Sequence, residues 1–429
     1  MKTHEQVQHQ CWSEEWRRTN PDIIVYLPKQ PQGEDADNEH FLVFEAAYDG
    51  DLLAMWTRGE AEGGRNVHVA LSRSKDGGAT WGEPIILAGP REGEGNIASW
   101  GFPVVSRSGR IYCFFNRFTG VVDAHRQFTG LMECSYSDDN GYTWKKGGSV
   151  EVRRSRYDHP DPKVPSNWIV WQNPVRDTRG RQIIGFTRHE SKVYWNRTKQ
   201  LKCEWIRFDN IDDGPDPQQL KLTWLPEDEG ELSVPSAGNP ERSYAEEPSV
   251  VLLPDGRLFC VMRTTTGRIW YSVSSDDGAT WRKPEVMRYS DNGEDVLQPV
   301  APCPVYALQD GRFLLVYHNN DGSRVNEEGK SLPRTPAFIA LGEYRAEAHQ
   351  PIWFSEPKQF ADSDGVAIGP SRRGLEQIPA PYRTEVATYT SLTEQNGNRI
   401  LWYPDRKHFL LGRYITDQWL EELVVPATE

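Results

Sequence analysis

Side chains that could carry acid–base or binding chemistry follow the ends of several short apolar segments of this chain. Histidine can donate or accept a proton near neutral pH, and arginine binds carboxylates through a planar fork of donors. The side chains at such positions are Arg58 after LLAMWT, His125 in GVVDAHRQFTG, His159 in the loop before a Trp-rich segment, Arg188 after IIGFT and His318 after LLVY. Comparable positions on successive strands predict that they ring one face of the molecule, where they could reach a substrate.

A carboxylate and a guanidinium stand at the two ends of another segment, AEEPSVVLLPDGRLFCVMRT, as Glu247 and Arg263. The turn sequence Pro254-Asp255-Gly256 lies between two apolar runs and predicts a β-hairpin. Because a hairpin brings its two ends to the same edge of a sheet, we expect Glu247 and Arg263 to be neighbours. Such a pair could move a proton and bind an anionic group, whereas a surface glutamate beside a structural arginine is the alternative.

Three segments share the pattern Ser-x-Asp-x-Gly-x-x-Trp, and they end at Trp81, Trp144 and Trp281. Apolar residues alternate with polar ones before each of them, which is typical of a β-strand. The aspartate can accept hydrogen bonds from backbone amides of a tight turn, and the glycine can take a positive φ. We therefore interpret the three segments as hairpin turns with a structural rather than a catalytic role, each with its tryptophan packed between neighbouring sheets.

The spacing of these turns predicts the architecture. Trp81 and Trp144 are 63 positions apart, and Trp144 and Trp281 are 137 positions apart, which is close to two units. We place the end of a degenerate unit at Trp224 and the end of another at Trp353. Six units in 429 residues give about 71 residues each, enough for a four-stranded blade. The prediction is an all-β, six-bladed β-propeller, with seven blades as the alternative, in one domain of residues 1–429 with an N-terminal extension of residues 1–37. The first and last segments should share one sheet, because closing the ring removes exposed sheet edges.

Composition narrows the classes of partner. A net charge of −13 disfavours nucleic acid, although a locally basic pocket for an acidic sugar remains compatible with it. The six cysteines are scattered without CxxC pairs, so we expect reduced thiols, no zinc site or other metal and no cofactor. The N-terminus lacks the apolar core of a signal peptide, and no apolar run reaches membrane-spanning length, so we expect a cytoplasmic protein that does not bind membranes. The 16 tryptophans suit stacking on sugar rings.

The three turn segments resemble the Asp-box repeats of the sialidase (neuraminidase) superfamily, and the resemblance extends from about residue 38 to residue 415. It implies an arginine triad for a substrate carboxylate, a Tyr–Glu nucleophile pair and an aspartate as acid/base. The hairpin described above resembles the part that carries the glutamate and the second arginine, which implies these roles for Glu247 and Arg263. The segment YTSLTEQNGNRILWYPDR implies that Tyr389 is the nucleophile, and RTPAFIALGE implies that Arg334 is the third arginine. Glu247 would accept the proton of the phenol, whose ordinary pKa is about 10.

Two positions depart from the pattern of the superfamily. His40 stands where the resemblance calls for the first arginine, and His68 stands where it calls for the acid/base aspartate. We therefore expect His68 to act as the proton shuttle and His40 to assist it. Losing an arginine weakens the grip on a carboxylate, which favours a uronic acid or another acidic sugar over sialic acid. Metal binding by these two histidines is disfavoured, because no carboxylate motif accompanies them.

These observations predict a glycoside hydrolase that removes a terminal acidic sugar, sialic-acid-like or uronic, from an oligosaccharide or polysaccharide. A polysaccharide lyase acting by β-elimination at a uronic acid could use the same histidine, tyrosine and arginine side chains. A glycan-binding propeller without catalysis is the third alternative. Lyase products absorb in the ultraviolet because of their new double bond, so an absorbance assay would distinguish the two reactions.

Overall fold

Short apolar strands form six antiparallel sheets that stand in chain order as the blades of a propeller. The computed structural model describes residues 14–31, 33–90, 96–195, 200–227, 230–368 and 383–427. The first strand, β1 (Ile23–Tyr26), belongs to the last blade. Blade 1 contains β2 (Asp37–Glu45), β3 (Leu52–Gly59), β4 (His68–Ser74) and β5 (Ile85–Ala88). Blade 2 contains β6 (Ala98–Val105), β7 (Ile111–Arg117), β8 (Leu131–Ser137) and β9 (Lys145–Val150).

Blade 3 has an interrupted inner strand, because β10 (Asn167–Ile169) and β11 (Val175–Arg176) both pair with β12 (Gln182–His189). It continues with β13 (Leu201–Phe208) and β14 (Leu222–Leu225), and a small hairpin of β15 (Pro235–Ser236) and β16 (Asn239–Ser243) follows. Blade 4 contains β17 (Glu246–Leu252), β18 (Leu258–Arg263), β19 (Trp270–Ser274) and β20 (Glu285–Val286). Blade 5 contains β21 (Val305–Ala307), β22 (Phe313–Tyr317), β23 (Ala337–Tyr344), β24 (Ile352–Phe354) and β25 (Lys358–Ala361).

Blade 6 is built from both ends of the described chain. Its strands β26 (Ser391–Gln395), β27 (Asn398–Asp405) and β28 (Phe409–Tyr414) are completed by β1, which pairs antiparallel with β28. The predicted ring closure and the six-bladed arrangement are therefore confirmed. Part of the segment that we treated as an N-terminal extension is thus a structural strand of the propeller. The helices are short: Glu15–Thr19, Lys192–Tyr194, Ile211–Asp213 and Pro217–Gln219 are 3₁₀ turns, and α1 (Asp417–Glu421) follows β28.

The three Ser-x-Asp-x-Gly-x-x-Trp segments are hairpin turns that join the third and fourth strands of blades 1, 2 and 4. In the first of them, Ser74 Oγ donates to Asp76 Oδ1 at 2.8 Å, and Asp76 Oδ1 accepts from Thr80 N at 2.9 Å. Gly78 has a φ of 94°, and a Cβ at this position would lie 2.5 Å from the Trp402 ring, so only glycine fits. The same bonds recur in the other two turns. The structural role predicted for these segments is confirmed.

Tryptophans at these turns pack against neighbouring blades. Trp81 of blade 1 meets Trp402 of blade 6 edge to face at 5.5 Å, and Trp281 of blade 4 stacks on Trp205 of blade 3 at 4.1 Å between ring centres. Such aromatic pairs bury large apolar areas at the junctions between sheets. The two degenerate units predicted to end at Trp224 and Trp353 are also confirmed. Trp224 lies on β14 and Trp353 on β24, which are the fourth strands of blades 3 and 5.

The remaining sequence expectations concern cysteines and membranes. Cys113, Cys134, Cys203, Cys260 and Cys303 are unpaired and buried, as expected for reduced thiols, and Cys11 lies outside the described residues. Within the described ranges, no helix has the length and apolar character needed to span a bilayer.

Candidate active site

The N-terminal ends of the inner strands carry a tyrosine–glutamate pair. Tyr389, immediately before β26, donates its phenol proton to Glu247 Oε1 on β17 at 2.9 Å, although the two residues are 142 positions apart. Both side chains are almost fully buried, with 4% and 5% of their surfaces exposed. A carboxylate within hydrogen-bond distance of a phenol can accept its proton when the phenol oxygen attacks a substrate.

Arg263 holds the other side of this carboxylate. Its NH1 lies 3.0 Å from Glu247 Oε2, and its Nε lies 3.4 Å from Glu246 Oε2. The β17–β18 hairpin causes this proximity, because Glu246 and Arg263 are partners in its register. The hairpin therefore places Glu247 beside Arg263, as its turn sequence suggested.

Electrostatics decide where the proton of the pair resides. Burial raises the pKa of the Glu247 carboxyl, and the Arg263 guanidinium opposes that shift. Burial, followed by the nearby Glu247 carboxylate, raises the pKa of the Tyr389 phenol well above its ordinary value. The phenol is therefore protonated at rest, and only transfer of its proton to Glu247 makes its oxygen strongly nucleophilic.

Four side chains of the site start from backbone in the left-handed region. The φ angles of His40, Trp100, Glu247 and Tyr389 are 54°, 54°, 50° and 66°. His40, Trp100 and Glu247 lie at β-bulges of the inner strands β2, β6 and β17. Non-glycine residues in this region cost about 1–3 kcal/mol each and persist only where surrounding contacts hold them. Bulges re-aim side chains, and here three of them bring His40, Trp100 and Glu247 to Tyr389.

His40 lies beside the tyrosine but carries no charge at neutral pH. Its ring stacks on Trp100 with 3.4 Å between ring centres and meets Tyr389 edge to face at 4.8 Å. Burial lowers the pKa of His40 to about 4, although the Glu39 carboxylate opposes this shift. A neutral imidazole cannot replace the charge of the arginine that the resemblance called for at this position.

Two cations that sequence reasoning missed supply positive charge near the same place. Lys407 Nζ lies 2.6 Å from Glu39 Oε2 and 5.4 Å from the centre of the Tyr389 ring. Arg383 NH1 lies 2.7 Å from Asp37 Oδ1. Glu62 is within ion-pair distance of both, at 3.5 Å from Lys407 and 3.7 Å from Arg383.

Two tryptophans that the sequence did not single out as site residues pack against Tyr389. Trp171 and Trp100 meet the Tyr389 ring edge to face at 5.0 Å and 5.8 Å, and both are buried. The high tryptophan content was the available signal, but it did not say which of the 16 would lie here. Phe128 continues the aromatic row from Trp100, and His125 packs on Phe128 at 4.8 Å, farther from the tyrosine.

Arg334 and His318 hold the segment that precedes Tyr389. The backbone carbonyl of Arg334 accepts from Val386 N at 2.9 Å, and its guanidinium donates to the Val300 carbonyl at 3.1 Å and 2.6 Å. His318 is buried and donates from Nε2 to the Val386 carbonyl at 3.0 Å. Burial lowers the pKa of His318 to about 4, so it is a neutral support of this segment.

The structure does not bring His68 to the tyrosine–glutamate pair, which corrects the placement that we predicted for it. His68 is paired with Arg58, which is paired with Asn38, so it lies two strands outward from the inner strand β2. Its Nδ1 donates to the Asn66 carbonyl at 2.8 Å, and it makes no hydrogen bond or ring contact with Tyr389 or Glu247. Arg58 instead donates to Tyr26 Oη at 2.8 Å, between blades 1 and 6. The described contacts of His68 are thus within its own blade, whereas Tyr389 and Glu247 belong to inner strands or their ends.

Arg188 and His159 are also placed by structural contacts. Arg188 is fully buried, with Nε 2.6 Å from Glu204 and NH1 3.1 Å from Asp158, so its charge is already compensated within blade 3. His159 Nδ1 accepts from Asp161 N at 3.0 Å in the loop between β9 and β10. Neither contact leads to Tyr389.

Replacing Arg188 by alanine is therefore expected to destabilise the fold rather than to weaken substrate binding. Removing one partner of a buried ion pair typically costs about 3–5 kcal/mol, because the remaining charges stay buried and unpaired. Denaturant unfolding should show this loss in Arg188→Ala. Arg312→Ala is the control, because Arg312 pairs with Asp310 near the surface and should cost less than about 1 kcal/mol. Equal losses in both variants would contradict the structural role of Arg188.

Comparison with known proteins supports the fold. A protein of unknown function from Dyadobacter fermentans is 15% identical, with 92% of this chain and 98% of that chain covered and a TM-score of 0.57. The NanB sialidase from Streptococcus pneumoniae is 14% identical, with 94% and 71% covered and a TM-score of 0.59. A leech intramolecular trans-sialidase is 14% identical, with 98% and 73% covered and a TM-score of 0.60. At such identities the likeness shows a shared fold alone.

A family model gives the assignment. The model described as BNR repeat-like domain matches residues 50–400 of the 429, a range that contains all three Ser-x-Asp-x-Gly-x-x-Trp turns as well as Glu247, Arg263 and Tyr389. Since the match spans most of the propeller, the chain belongs to the BNR repeat-like domain family.

Proposed function

We propose that this protein is a glycoside hydrolase that uses Tyr389 as its nucleophile. The observation that carries the proposal is the 2.9 Å hydrogen bond from the buried phenol to Glu247, whose carboxylate is held from the other side by Arg263. Tyrosine nucleophiles are a known exception to the pair of carboxylates that most glycosidases use. Several proteins that share the fold are named sialidases, which is consistent with a glycan as substrate.

The proposed reaction has two steps. The Tyr389 oxygen forms a bond to the anomeric carbon while its proton passes to Glu247 and the bond from that carbon to the leaving oxygen breaks. Water then attacks the anomeric carbon and gives a proton to the carboxylate that had protonated the leaving oxygen, while the bond to Tyr389 breaks and Glu247 returns its proton to the phenolate. Both steps invert the anomeric carbon, so the product keeps the configuration of the substrate.

Among the carboxylates that form ion pairs with Arg383 and Lys407, Glu62 is the most exposed, and we assign to it the protonation of the leaving oxygen. It reaches the site from the loop between β3 and β4, and its side chain is 21% exposed, whereas those of Asp37, Glu39 and Glu247 are nearly inaccessible. A residue that contacts both the site and solvent can protonate the leaving oxygen and then accept the proton of the attacking water. In this proposal Glu62 takes the role that we first expected for His68.

Glu62→Gln is expected to lower turnover about 10²-fold on a glycoside with an alcohol leaving group, the lower end of the effect of a general acid. On a 4-nitrophenyl glycoside the loss should be less than about tenfold, because that leaving group departs without help from an acid. His68→Ala is the control and should leave both rates within about threefold. The reverse pattern, a large loss in His68→Ala and none in Glu62→Gln, would contradict this assignment.

The sugar is proposed to carry an acidic group, with Arg334 as its anchor. Among the cations of the site, Arg263, Arg383 and Lys407 each form an ion pair with a carboxylate. The described hydrogen bonds of the Arg334 guanidinium are to a backbone carbonyl, and the nearby Glu385 carboxylate forms no ion pair with it among the described contacts. A substrate carboxylate would therefore gain most from Arg334.

A panel of acidic and neutral oligosaccharides tests the proposed function. Reducing ends report hydrolysis, absorbance near the ultraviolet edge reports β-elimination, and proton NMR of the first product reports its anomeric configuration. We expect new reducing ends without absorbance, and a product of retained configuration. Absorbance would instead support the polysaccharide lyase, and binding without turnover would support the glycan-binding propeller.

A further inference from the structure

Two threonines perform the same task in two pairs of neighbouring blades. Thr57 lies on β3 of blade 1, and its Oγ1 accepts from the backbone N of Trp100 in blade 2 at 3.0 Å. Thr187 lies on β12 of blade 3, and its Oγ1 accepts from the backbone N of Glu247 in blade 4 at 2.7 Å. Both threonines are buried. In each case the second strand of one blade holds the bulge on the inner strand of the next.

The backbone groups that receive these bonds belong to left-handed residues. Trp100 and Glu247 have φ angles of 54° and 50°, and both interrupt the ladder of their inner strand. An amide at a bulge has lost its partner in the ladder, and a buried amide without a partner is unfavourable. The threonine hydroxyl supplies that partner from outside the sheet, and so fixes the direction in which the bulged side chain leaves the backbone.

Thr57 and Glu39 together determine which nitrogen of His40 carries the proton. Thr57 Oγ1 lies 2.9 Å from His40 Nδ1 while it accepts from Trp100 N. His40 Nε2 faces Glu39 Oε1 at 3.7 Å, so a proton on Nε2 is favoured by that carboxylate. The hydroxyl of Thr57 therefore donates to Nδ1. One hydroxyl thus fixes both rings, His40 and Trp100, that contact Tyr389.

We infer that Thr57 and Thr187 are positioning residues of the active site, which act through His40, Trp100 and Glu247 without touching substrate. This inference rests on the proposed function, in which Glu247 accepts the proton of Tyr389. Thr187 sets the position of the acceptor, and Thr57 sets the aromatic wall and the tautomer of His40. The inference thus adds two residues that make no described contact with the nucleophile, Tyr389.

Hydroxyl deletion by valine, with serine as the conservative rescue, tests the inference kinetically. Thr187→Val keeps the shape of threonine and removes the hydroxyl. We expect kcat to fall about 10–100-fold with KM within about twofold, because binding groups stay in place while the geometry of proton transfer is lost. Thr187→Ser should keep kcat within about threefold of the native value. Equal kcat in the valine, serine and native proteins would overturn the inference.

A matched control separates position from stability. Thr393 is also a buried threonine whose Oγ1 accepts a hydrogen bond, from Trp402 Nε1 at 2.8 Å, but it lies on β26 away from the pair. Thr393→Val should lower the melting temperature as Thr187→Val does, yet leave kcat unchanged. If Thr393→Val lowers kcat as much as Thr187→Val does, the effect is general destabilisation and the inference is wrong.

A spectroscopic measurement on Thr57 is independent of any activity. In ¹⁵N-labelled protein, we expect His40 Nε2 to show the shift of a protonated nitrogen and Nδ1 that of a hydrogen-bonded acceptor. Thr57→Ser should keep this pattern, and Thr57→Val should change it. An unchanged pattern in Thr57→Val overturns the inference even if the native protein hydrolyses glycans. Conversely, a changed pattern supports it even if the panel reveals no hydrolysis, in which case only the proposed function fails.

Discussion

Replacing Tyr389 by phenylalanine is expected to lower turnover by at least about 10³-fold, because the nucleophile itself is removed. The change removes one oxygen atom and keeps the ring that packs against His40, Trp100 and Trp171. No other described hydroxyl donates a hydrogen bond to Glu247 Oε1. The substitution therefore removes the oxygen that would accept the glycosyl group and keeps the aromatic packing around the ring. Turnover measured on the best substrate of the panel, together with the melting temperature, checks this prediction.

Tyr403→Phe is the matched control. Tyr403 is also buried and its hydroxyl lies 3.0 Å from Thr19 Oγ1, where the 3₁₀ turn Glu15–Thr19 meets blade 6, away from the pair. Its loss should alter stability by a similar amount and leave turnover within about twofold. A Tyr389→Phe variant that retains more than about a tenth of native turnover would rule out a tyrosine nucleophile.

Glu247→Gln is expected to lower turnover about 10²–10⁴-fold, which is the usual effect of a positioned acid or base. The amide keeps the size of the carboxyl group but cannot accept the proton of Tyr389. The pH dependence of the native activity tests the same role of Glu247. Burial raises the pKa of Glu247, and below that pKa the carboxyl is protonated and cannot act as a base. Native activity should therefore fall on the acid side at a pH above the ordinary range of glutamate.

The residual activity of Glu247→Gln should no longer show this acid limb. Glu394→Gln is the control, because Glu394 pairs with Arg399 at the opposite end of β26 and should leave both turnover and pH profile unchanged. An acid limb that persists in Glu247→Gln would assign that limb to another group and would contradict Glu247 as the base.

The fold could be predicted from the sequence because its information is local and repeated. Each Ser-x-Asp-x-Gly-x-x-Trp turn is determined by bonds within a few residues, such as Asp76 with Thr80, and the spacing of the turns then counts the blades. The neighbouring positions of Glu247 and Arg263 were predictable for the same reason, since one hairpin turn fixes them. Tyr389 was found through a resemblance, because nothing local shows that it meets Glu247.

The rest of the site depends on features that leave no local signal. His68 was misplaced because its position along β4 was predicted, but its distance from the axis is set by strand order within the blade. Lys407 was missed because it occupies a hairpin turn with positive φ at Arg406 and Lys407, where glycine or asparagine is the usual signal. The bulge at Trp100 and the ring of His40 are both held by Thr57, which is distant from Trp100 in sequence. Contacts of this kind are visible only in the folded structure.

Covalent trapping tests the central claim most directly, namely that Tyr389 receives the glycosyl group. Native protein is incubated with a fluorinated glycosyl fluoride of the sugar that the panel identifies, and mass spectrometry of the intact chain and of its peptides follows. We predict an increase by the mass of one glycosyl unit, on the peptide that contains Tyr389, and no increase in Tyr389→Phe. A glycosyl unit on a carboxylate such as Glu62 or Glu39, with Tyr389 unmodified, would contradict the account.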